Sequence, residues 1–168
     1  RRPTPDTGLN RMLGDYDTTR DEWALTSGEP TKYYGYTNNM GVTRSAWNRH
    51  GPFDARSRGS DTIFVRRVID GEGCTALAFV PAMIVLHLEM DGVATYLRKV
   101  FTYGRSMQSY RRVIAVQPLT MGDRLAVFQK TVHDKSYGFL RASTLAVLLA
   151  VGLWAWAIGR MSGSVMRK

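Results

Sequence analysis

The residues of this chain that could do chemistry are concentrated in residues 36–68, and the central one is Asp61. Gly59 and Ser60 precede it, and the apolar residues that follow have helical spacing, so Asp61 falls at or just before the first turn of a helix. The N-terminal end of a helix stabilises negative charge, and a carboxylate held there can act as a general base. The same position also suits a simple N-terminal cap, which the local sequence favours.

Two polar turns come before Asp61. Asn38, Asn39 and Gly41 predict a turn where a ligand can approach the backbone closely. The residues Gly-Pro-Phe-Asp at 51–54 predict a second turn, which ends a short helix. These turns would form the walls of any site built around the Asp61 carboxylate.

The sequence predicts a mixture of strands and helices for the elements that position these residues. Residues 1–35 are polar and rich in turn formers, which predicts an irregular lead-in. Residues 76–80 and 83–88 are predicted as two strands. His87 lies at the end of the second strand; a lone histidine there is typically structural, although a neutral imidazole also suits a divalent metal held mainly by carboxylates.

A basic segment follows the predicted strands. Residues 92–110 predict an amphipathic helix, with Arg98, Lys99 and Arg105 opposite its apolar face. Nine basic residues lie between positions 98 and 141 against two acidic ones, and the formal net charge of the chain is +9. Such a face is either merely solvated or binds phosphates, those of a ligand or those of lipid head groups. Nucleic acid is not predicted as a partner, because no recognition module accompanies the charge.

Composition and motifs exclude several classes of protein. The chain is 44% hydrophobic and 22% charged, which is typical of a globular domain and not of a disordered one. The single cysteine, Cys74, excludes an intrachain disulfide framework and argues against a cysteine-based metal site. The phosphate-binding, zinc-protease and serine-hydrolase signatures are all absent from the sequence.

The last part of the chain predicts two further helices. Thr120 and Asp123 match a capping box that opens an amphipathic helix over residues 119–136, which can lie in a membrane interface or be an ordinary domain helix. Residues 142–159 are eighteen uncharged residues, close to the ~20 that cross a bilayer. We therefore predict one C-terminal transmembrane helix over residues 137–160 and a tail at 161–168. Basic residues flank both ends, so the positive-inside rule gives little orientation.

Three motifs in the order found here resemble the family 2 glycosyltransferases. They are Thr-Asn-Asn-Met-Gly-Val-Thr-Arg at 37–44, His-Gly-Pro-Phe-Asp at 50–54 and Gly-Ser-Asp-Thr-Ile-Phe-Val-Arg-Arg at 59–67. Members of that family are inverting enzymes with the GT-A fold. The resemblance implies an α/β fold class, with a partial GT-A-like fold over residues 36–118 followed by the amphipathic helices and the transmembrane helix. The family's nucleotide-binding half, with its Asp-x-Asp metal motif, is missing, so we expect a C-terminal half that is inactive alone.

The resemblance also implies roles for single residues. Asp61 would be the general base that activates the acceptor hydroxyl, and His87 would be a ligand of a divalent metal, Mg²⁺ or Mn²⁺. The substrate-binding residues would be Asn38, Asn39, Arg67, Arg98 and Arg105. The implied partners are a nucleotide-sugar donor, a saccharide or lipid-linked acceptor, and membrane lipid. The implied location is the membrane, with the catalytic part cytoplasmic.

A second class of function fits the same sequence. The chain could be a non-enzymatic, membrane-attached binding module whose basic face docks on anionic lipid or on a partner. Salt-dependent liposome binding without sugar-nucleotide binding would favour this class over the glycosyltransferase.

Overall fold

The computed structural model of this chain describes residues 2–3, 8–55, 58–87, 92–110, 113–115 and 117–165. Short 3₁₀ turns at Pro30–Lys32, Thr37–Asn39 and Cys74–Ala76 join helices within these residues. The helices are α1 (Gly8–Leu25), α2 (Arg44–His50), α3 (Ser60–Glu72), α4 (Val93–Tyr110), α5 (Met121–Asp134) and α6 (Phe139–Val165).

The predicted α/β fold, a partial GT-A-like domain, is wrong because the architecture is helical. In the described residues, extended pairing is limited to β1 (Arg2–Pro3) and β2 (Leu86–His87), which run parallel. Residues 76–80 and 83–85, predicted as parts of two strands, have no strand partner in this part of the chain. An apolar run becomes a strand only when a neighbour pairs its backbone groups, and the main neighbours here are helices.

The irregular lead-in predicted over residues 1–35 is also wrong, since α1 occupies Gly8–Leu25. Its glycine, aspartate and threonine residues are weak helix formers, which hides the helix from local sequence patterns. Met12, Leu13 and Tyr16 are nevertheless buried on one side of α1. Packing of that side against other helices therefore stabilises α1 more than its own propensity does.

The first core cluster joins α1, α5 and the first half of α6. Its fully enclosed members, Val127 and Leu145, are 0% exposed, and Trp23, Tyr96 and Phe128 pack around them. The capping box predicted at the start of α5 is confirmed: Thr120 Oγ1 accepts a hydrogen bond from the backbone N–H of Asp123 at 3.1 Å. The cap fixes where α5 begins, and so aligns Val127 with the core.

A second cluster holds α3 against the segment between α1 and α2. Val65 and Ile69 of α3 are buried together with Tyr33. Beside them, Trp47 and Phe64 pack on the ring of Phe53 at centroid distances of 5.3 and 5.1 Å. These contacts fix the turn at residues 51–54 on the surface of α3.

The amphipathic helix predicted over residues 92–110 is confirmed as α4, and it packs along α6. Tyr96 lies on Gly152, and further along both helices the backbone of Phe101 lies on Gly159. The contacts advance in the same direction on both helices, so α4 and α6 run parallel. Gly104 of α4 is likewise in close contact with the carbonyl of Trp156. Glycine at these positions lets the two backbones approach more closely than any other residue would allow.

Candidate functional site

Asp61 lies in the first turn of α3, as predicted, and its carboxylate is engaged within the protein. Its Oδ2 accepts a hydrogen bond from the backbone N–H of Thr37 at 3.3 Å, and its Oδ1 accepts one from Thr62 N–H at 2.8 Å. Asn38 and Asn39 belong to the 3₁₀ turn that begins at Thr37, so the structure does bring them close to Asp61. The carboxylate thus joins that turn to the first turn of α3, whereas the N-cap of the helix is Gly59 and has no side-chain cap hydrogen bond.

Arg67 also makes contacts that hold the fold together. Its Nη1 donates to the carbonyl oxygen of Pro52 at 3.0 Å and to that of His50 at 3.4 Å. Beside it, His50 Nε2 lies 2.6 Å from Glu72 Oε1, and this hydrogen bond is the main cause of the lowered pKa of Glu72. These contacts tie the end of α2 and the turn at 51–54 to α3.

The other predicted site residues, Arg98, Arg105 and His87, belong to different elements from Asp61. Arg98 and Arg105 are exposed residues of α4, which packs on α6. The two regions do meet, because the guanidinium of Arg58 lies 5.8 Å from the centre of the Tyr103 ring. His87 has its backbone in β2, but its side chain lies outside the described part. Among the described residues, no group of three or more histidine, cysteine and acidic side chains is placed to hold a metal.

The contact between Asp61 and the preceding turn depends on Gly35. A Cβ at position 35 would lie 2.9 Å from both the carbonyl oxygen of Asp61 and a methyl of Val65. We expect Gly35→Ala to lower the free energy of unfolding by about 1–3 kcal/mol, because the turn must move away from α3. Urea denaturation measures this. Gly41→Ala is the matched control, since a Cβ there meets no atom within 4 Å; equal stability of the two variants would contradict the prediction.

The surface that distinguishes this chain most clearly is on α6. Within it, Phe139–Ser162 is long and apolar enough to cross a membrane, with a mean hydropathy of 1.8 over its most apolar window. One side of the helix is a continuous stripe of exposed residues, hereafter the α6 stripe. It consists of Leu140, Val147, Val151, Trp154, Ile158 and Met161. Their spacing of seven, four, three, four and three residues keeps them on one face of the helix.

Part of the rest of α6 is covered by helices that carry charge. Leu145 is enclosed by α1 and α5, whereas Gly152 and Gly159 are buried against α4. Arg98 and Arg105 of α4 are both exposed. The α6 stripe is therefore a large exposed apolar surface, and such patches mark interaction or membrane surfaces.

Asp123 is an organising residue whose wider role the sequence did not reveal. Besides closing the capping box, its Oδ1 accepts hydrogen bonds from Lys32 Nζ at 3.0 Å and from Trp23 Nε1 at 3.3 Å. Burial alone would raise the pKa of Asp123, but hydrogen bonds from Thr120, Lys32 and Trp23 outweigh it and hold the pKa well below its usual range. The capping box predicted one of these contacts; the partners 91 and 100 residues away are contributed by the fold.

Comparison with known proteins identifies no relative. No protein-family model, no curated protein and no solved structure matches this chain. The resemblance to family 2 glycosyltransferases therefore depends on the order of its three motifs alone, and the activity, donor, acceptor and divalent metal that it implied stay predictions.

Proposed function

We propose that this chain is a non-enzymatic, membrane-attached binding module, anchored by α6. The observation that carries the proposal is the α6 stripe, in which Leu140 and Trp154 are 79% and 72% exposed. Removing large apolar side chains from water favours burial by about 1.5–3 kcal/mol each. A bilayer provides that burial for a whole helix face at once, which makes it the fitting environment for α6.

The candidate catalytic residue supports a binding module better than an enzyme. Both carboxylate oxygens of Asp61 accept backbone hydrogen bonds, and Arg67 is used to hold the turn at Pro52. Side chains engaged in this way stabilise the fold. The glycosyltransferase prediction gains no support from the helical architecture.

The position of α4 determines how far α6 can enter a bilayer. α4 lies beside the second half of α6, with Arg98 and Arg105 exposed on its outer side. A charged side chain near the centre of a bilayer costs about 2.5–3.5 kcal/mol even when it can snorkel. α4 therefore cannot follow α6 into the hydrocarbon. Complete crossing by α6 would separate it from α4 and from the α1 and α5 residues around Leu145, and it would leave α4 at the surface, where its basic residues face lipid head groups.

The anchor is tested by placing a charge in the middle of the α6 stripe. We expect Val151→Arg to weaken binding to phosphatidylcholine–phosphatidylserine vesicles on the order of 100-fold, since the new charge opposes burial in hydrocarbon. Flotation of the full chain with such vesicles measures the bound fraction. Gln129→Arg, at an exposed position of α5, is the control with the same change of charge and should bind like wild type.

Two outcomes would contradict the anchor. One is that Val151→Arg floats as well as wild type. The other is that wild type does not float and forms a dimer that Val151→Arg dissociates, because the α6 stripe would then be a contact between two copies. The side of the membrane on which the bundle lies stays a prediction.

A further inference from the structure

A loop between α3 and β2 exposes an apolar surface that neither the membrane anchor nor the candidate catalytic region uses. The end of this loop, hereafter the apolar tip, is Val-Pro-Ala-Met-Ile at 80–84, and all five residues are exposed. Among them, Val80, Met83 and Ile84 are 49%, 43% and 51% exposed. Single exposed apolar residues are ordinary, but a contiguous group of them marks an interaction or membrane surface.

The apolar tip lies within a long segment without charge. Residues 73–88 contain no aspartate, glutamate, lysine or arginine. The first charged residues beyond them in the sequence are Glu72 and Glu89, the second of which lies outside the described residues. Burial of a charge costs far more than burial of a neutral side chain. The apolar tip can therefore enter an apolar environment without taking a charged side chain with it.

The backbone of the apolar tip also suits an environment without water. Pro81 has no N–H to pair. The N–H groups of Met83 and Ile84 donate hydrogen bonds to the carbonyl oxygens of Val80 and Ala82 at 3.0 and 3.1 Å. An unpaired N–H group is costly in hydrocarbon, where no water can replace the missing partner. Three of the five residues of the tip therefore need no water at the backbone nitrogen.

The fold holds the loop on both sides of the apolar tip. Before it, Leu77 packs on the second core cluster, and the thiol of Cys74 donates to the carbonyl oxygen of Gly28 at 3.6 Å. After it, β2 pairs with β1. These supports lie in the part of the chain before α4, so they do not depend on the position of α6. The apolar tip is therefore held in place whether or not α6 leaves the bundle.

Helix α1 connects the base of the loop to the start of α6. The strand that pairs with β2, β1, packs on α1. Further along α1, Asp15 accepts a hydrogen bond from the Tyr137 hydroxyl at 2.7 Å and pairs with Lys135 at 3.5 Å. Both partners come just before α6 in the chain, so these contacts do not require α6 to stay in the bundle. The loop and the entry point of the anchor are thus attached to the same helix, and both can lie at one membrane surface.

We propose that the apolar tip inserts into the bilayer as a second point of attachment, with Val80, Met83 and Ile84 among the acyl chains. The inference rests on the proposed attachment to membranes and adds a second contact to it. A protein partner fits less well, because stable protein–protein interfaces use about 20–30 residues a side, whereas the tip has five. Lipid has no such requirement, since the gain is roughly proportional to the apolar area removed from water.

A fluorescent label at the apolar tip tests the insertion. A nitrobenzoxadiazole group is attached to Ile84→Cys in the full chain, together with Cys74→Ser, which removes the one native cysteine. With phosphatidylcholine–phosphatidylserine vesicles, we expect its emission to shift to shorter wavelength. We also expect lipids with a spin label on their acyl chains to quench it. The same label at Asn38→Cys, an exposed position of a polar turn, should report water throughout.

A third label, at Val147→Cys in the α6 stripe, separates the apolar tip from the anchor. Quenching at 147 with the label at 84 still in water would overturn the insertion of the tip and leave the anchor standing. Quenching at 84 alone would support the tip and overturn the anchor by α6. A shift at 84 without quenching by lipid would show a protein contact there, which also overturns the insertion. Failure of wild type to bind vesicles would overturn the membrane attachment itself.

Unlabelled variants provide a second measurement if the chain with Cys74→Ser does not fold. Met83→Ser/Ile84→Ser removes two half-exposed apolar side chains without adding a charge. We expect it to weaken vesicle binding roughly 10- to 100-fold. Val42→Ser/Val113→Ser is the matched control, because both valines are exposed in other parts of the chain, and it should bind like wild type. Equal binding by the two double variants would overturn the insertion.

Discussion

Replacing Asp123 by alanine is expected to destabilise the fold by about 2–4 kcal/mol. The change removes the capping box of α5, worth about 0.5–2 kcal/mol, and leaves the Trp23 indole N–H without its acceptor, at about 1–3 kcal/mol. It also removes one of the two carboxylates that pair with Lys32. The ammonium then keeps only Glu29, which is the more exposed partner and lies 2.8 Å away. Since Asp123 links α1, the 3₁₀ turn at Pro30–Lys32 and α5, the loss weakens the contact between all three.

Urea denaturation followed by circular dichroism measures this loss. Asp134→Ala is the matched control, because Asp134 is a carboxylate of the same helix whose partner, Lys130, is a surface residue four positions away. Exposed pairs of that kind contribute about 0–1 kcal/mol. If the two variants lose the same stability, the contacts of Asp123 with Lys32 and Trp23 do not contribute in solution.

The lowered pKa of Asp123 also predicts how stability depends on pH. The pKa of Asp123 in the folded protein lies below the value of about 3.9 for an aspartate in the unfolded chain. In acid, the unfolded chain therefore binds more protons at this residue than the folded protein does. The stabilisation is complete at neutral pH and decreases as the pH falls below about 4 toward the folded pKa. Asp123→Ala should therefore show a shallower loss of stability in acid than wild type does.

Replacing Gly159 by leucine should force α4 away from α6. The backbone of Phe101 occupies the space that a side chain at position 159 needs, and helix backbones cannot yield without moving apart. Overpacking costs about 1–3 kcal/mol, which corresponds to roughly 5- to 150-fold faster amide exchange across α4. Hydrogen–deuterium exchange over residues 93–110 measures the separation. Vesicle flotation should rise with it, because release of α4 uncovers more of the anchor.

Two further variants make this experiment specific. Ala150→Leu creates the same side chain at an exposed position of α6, so it should leave exchange in α4 unchanged. Gly104→Leu produces the clash from α4, against the carbonyl of Trp156, without altering the composition of α6. We expect Gly104→Leu to behave like Gly159→Leu. If amide exchange across α4 is as slow in both glycine variants as in wild type, the parallel packing of α4 on α6 does not exist in solution.

Local sequence patterns correctly predicted the helices whose formation depends mainly on neighbouring residues. The α5 cap depends on Thr120 and Asp123, three residues apart, and the amphipathic pattern from Val93 describes α4 completely. The same kind of pattern failed for residues 83–85, where apolar and β-branched residues indicate a strand only if a partner strand exists. It failed again for α1, whose weak helix formers are outweighed by the burial of Leu13 and Tyr16.

The predicted site shows the same limit. The sequence correctly placed Asp61 at the start of a helix, because glycine, serine and aspartate before an apolar run are local signals. It could not show that the backbone N–H of Thr37 donates a hydrogen bond to that carboxylate, or that Arg67 donates one to the carbonyl oxygen of Pro52. These contacts join residues 24 and 15 positions apart, and they turn the candidate active-site groups into supports of the fold.

By itself, the sequence determined that this protein has one long apolar helix, an excess of positive charge and a capped helix before that apolar segment. Composition and short spacings suffice for these features because they require no distant partner. Only the tertiary structure decided that α4 covers one side of α6 and that the α6 stripe stays exposed. Those features depend on residues far apart in the sequence, such as Phe101 and Gly159, and only the packing of whole helices brings such residues together.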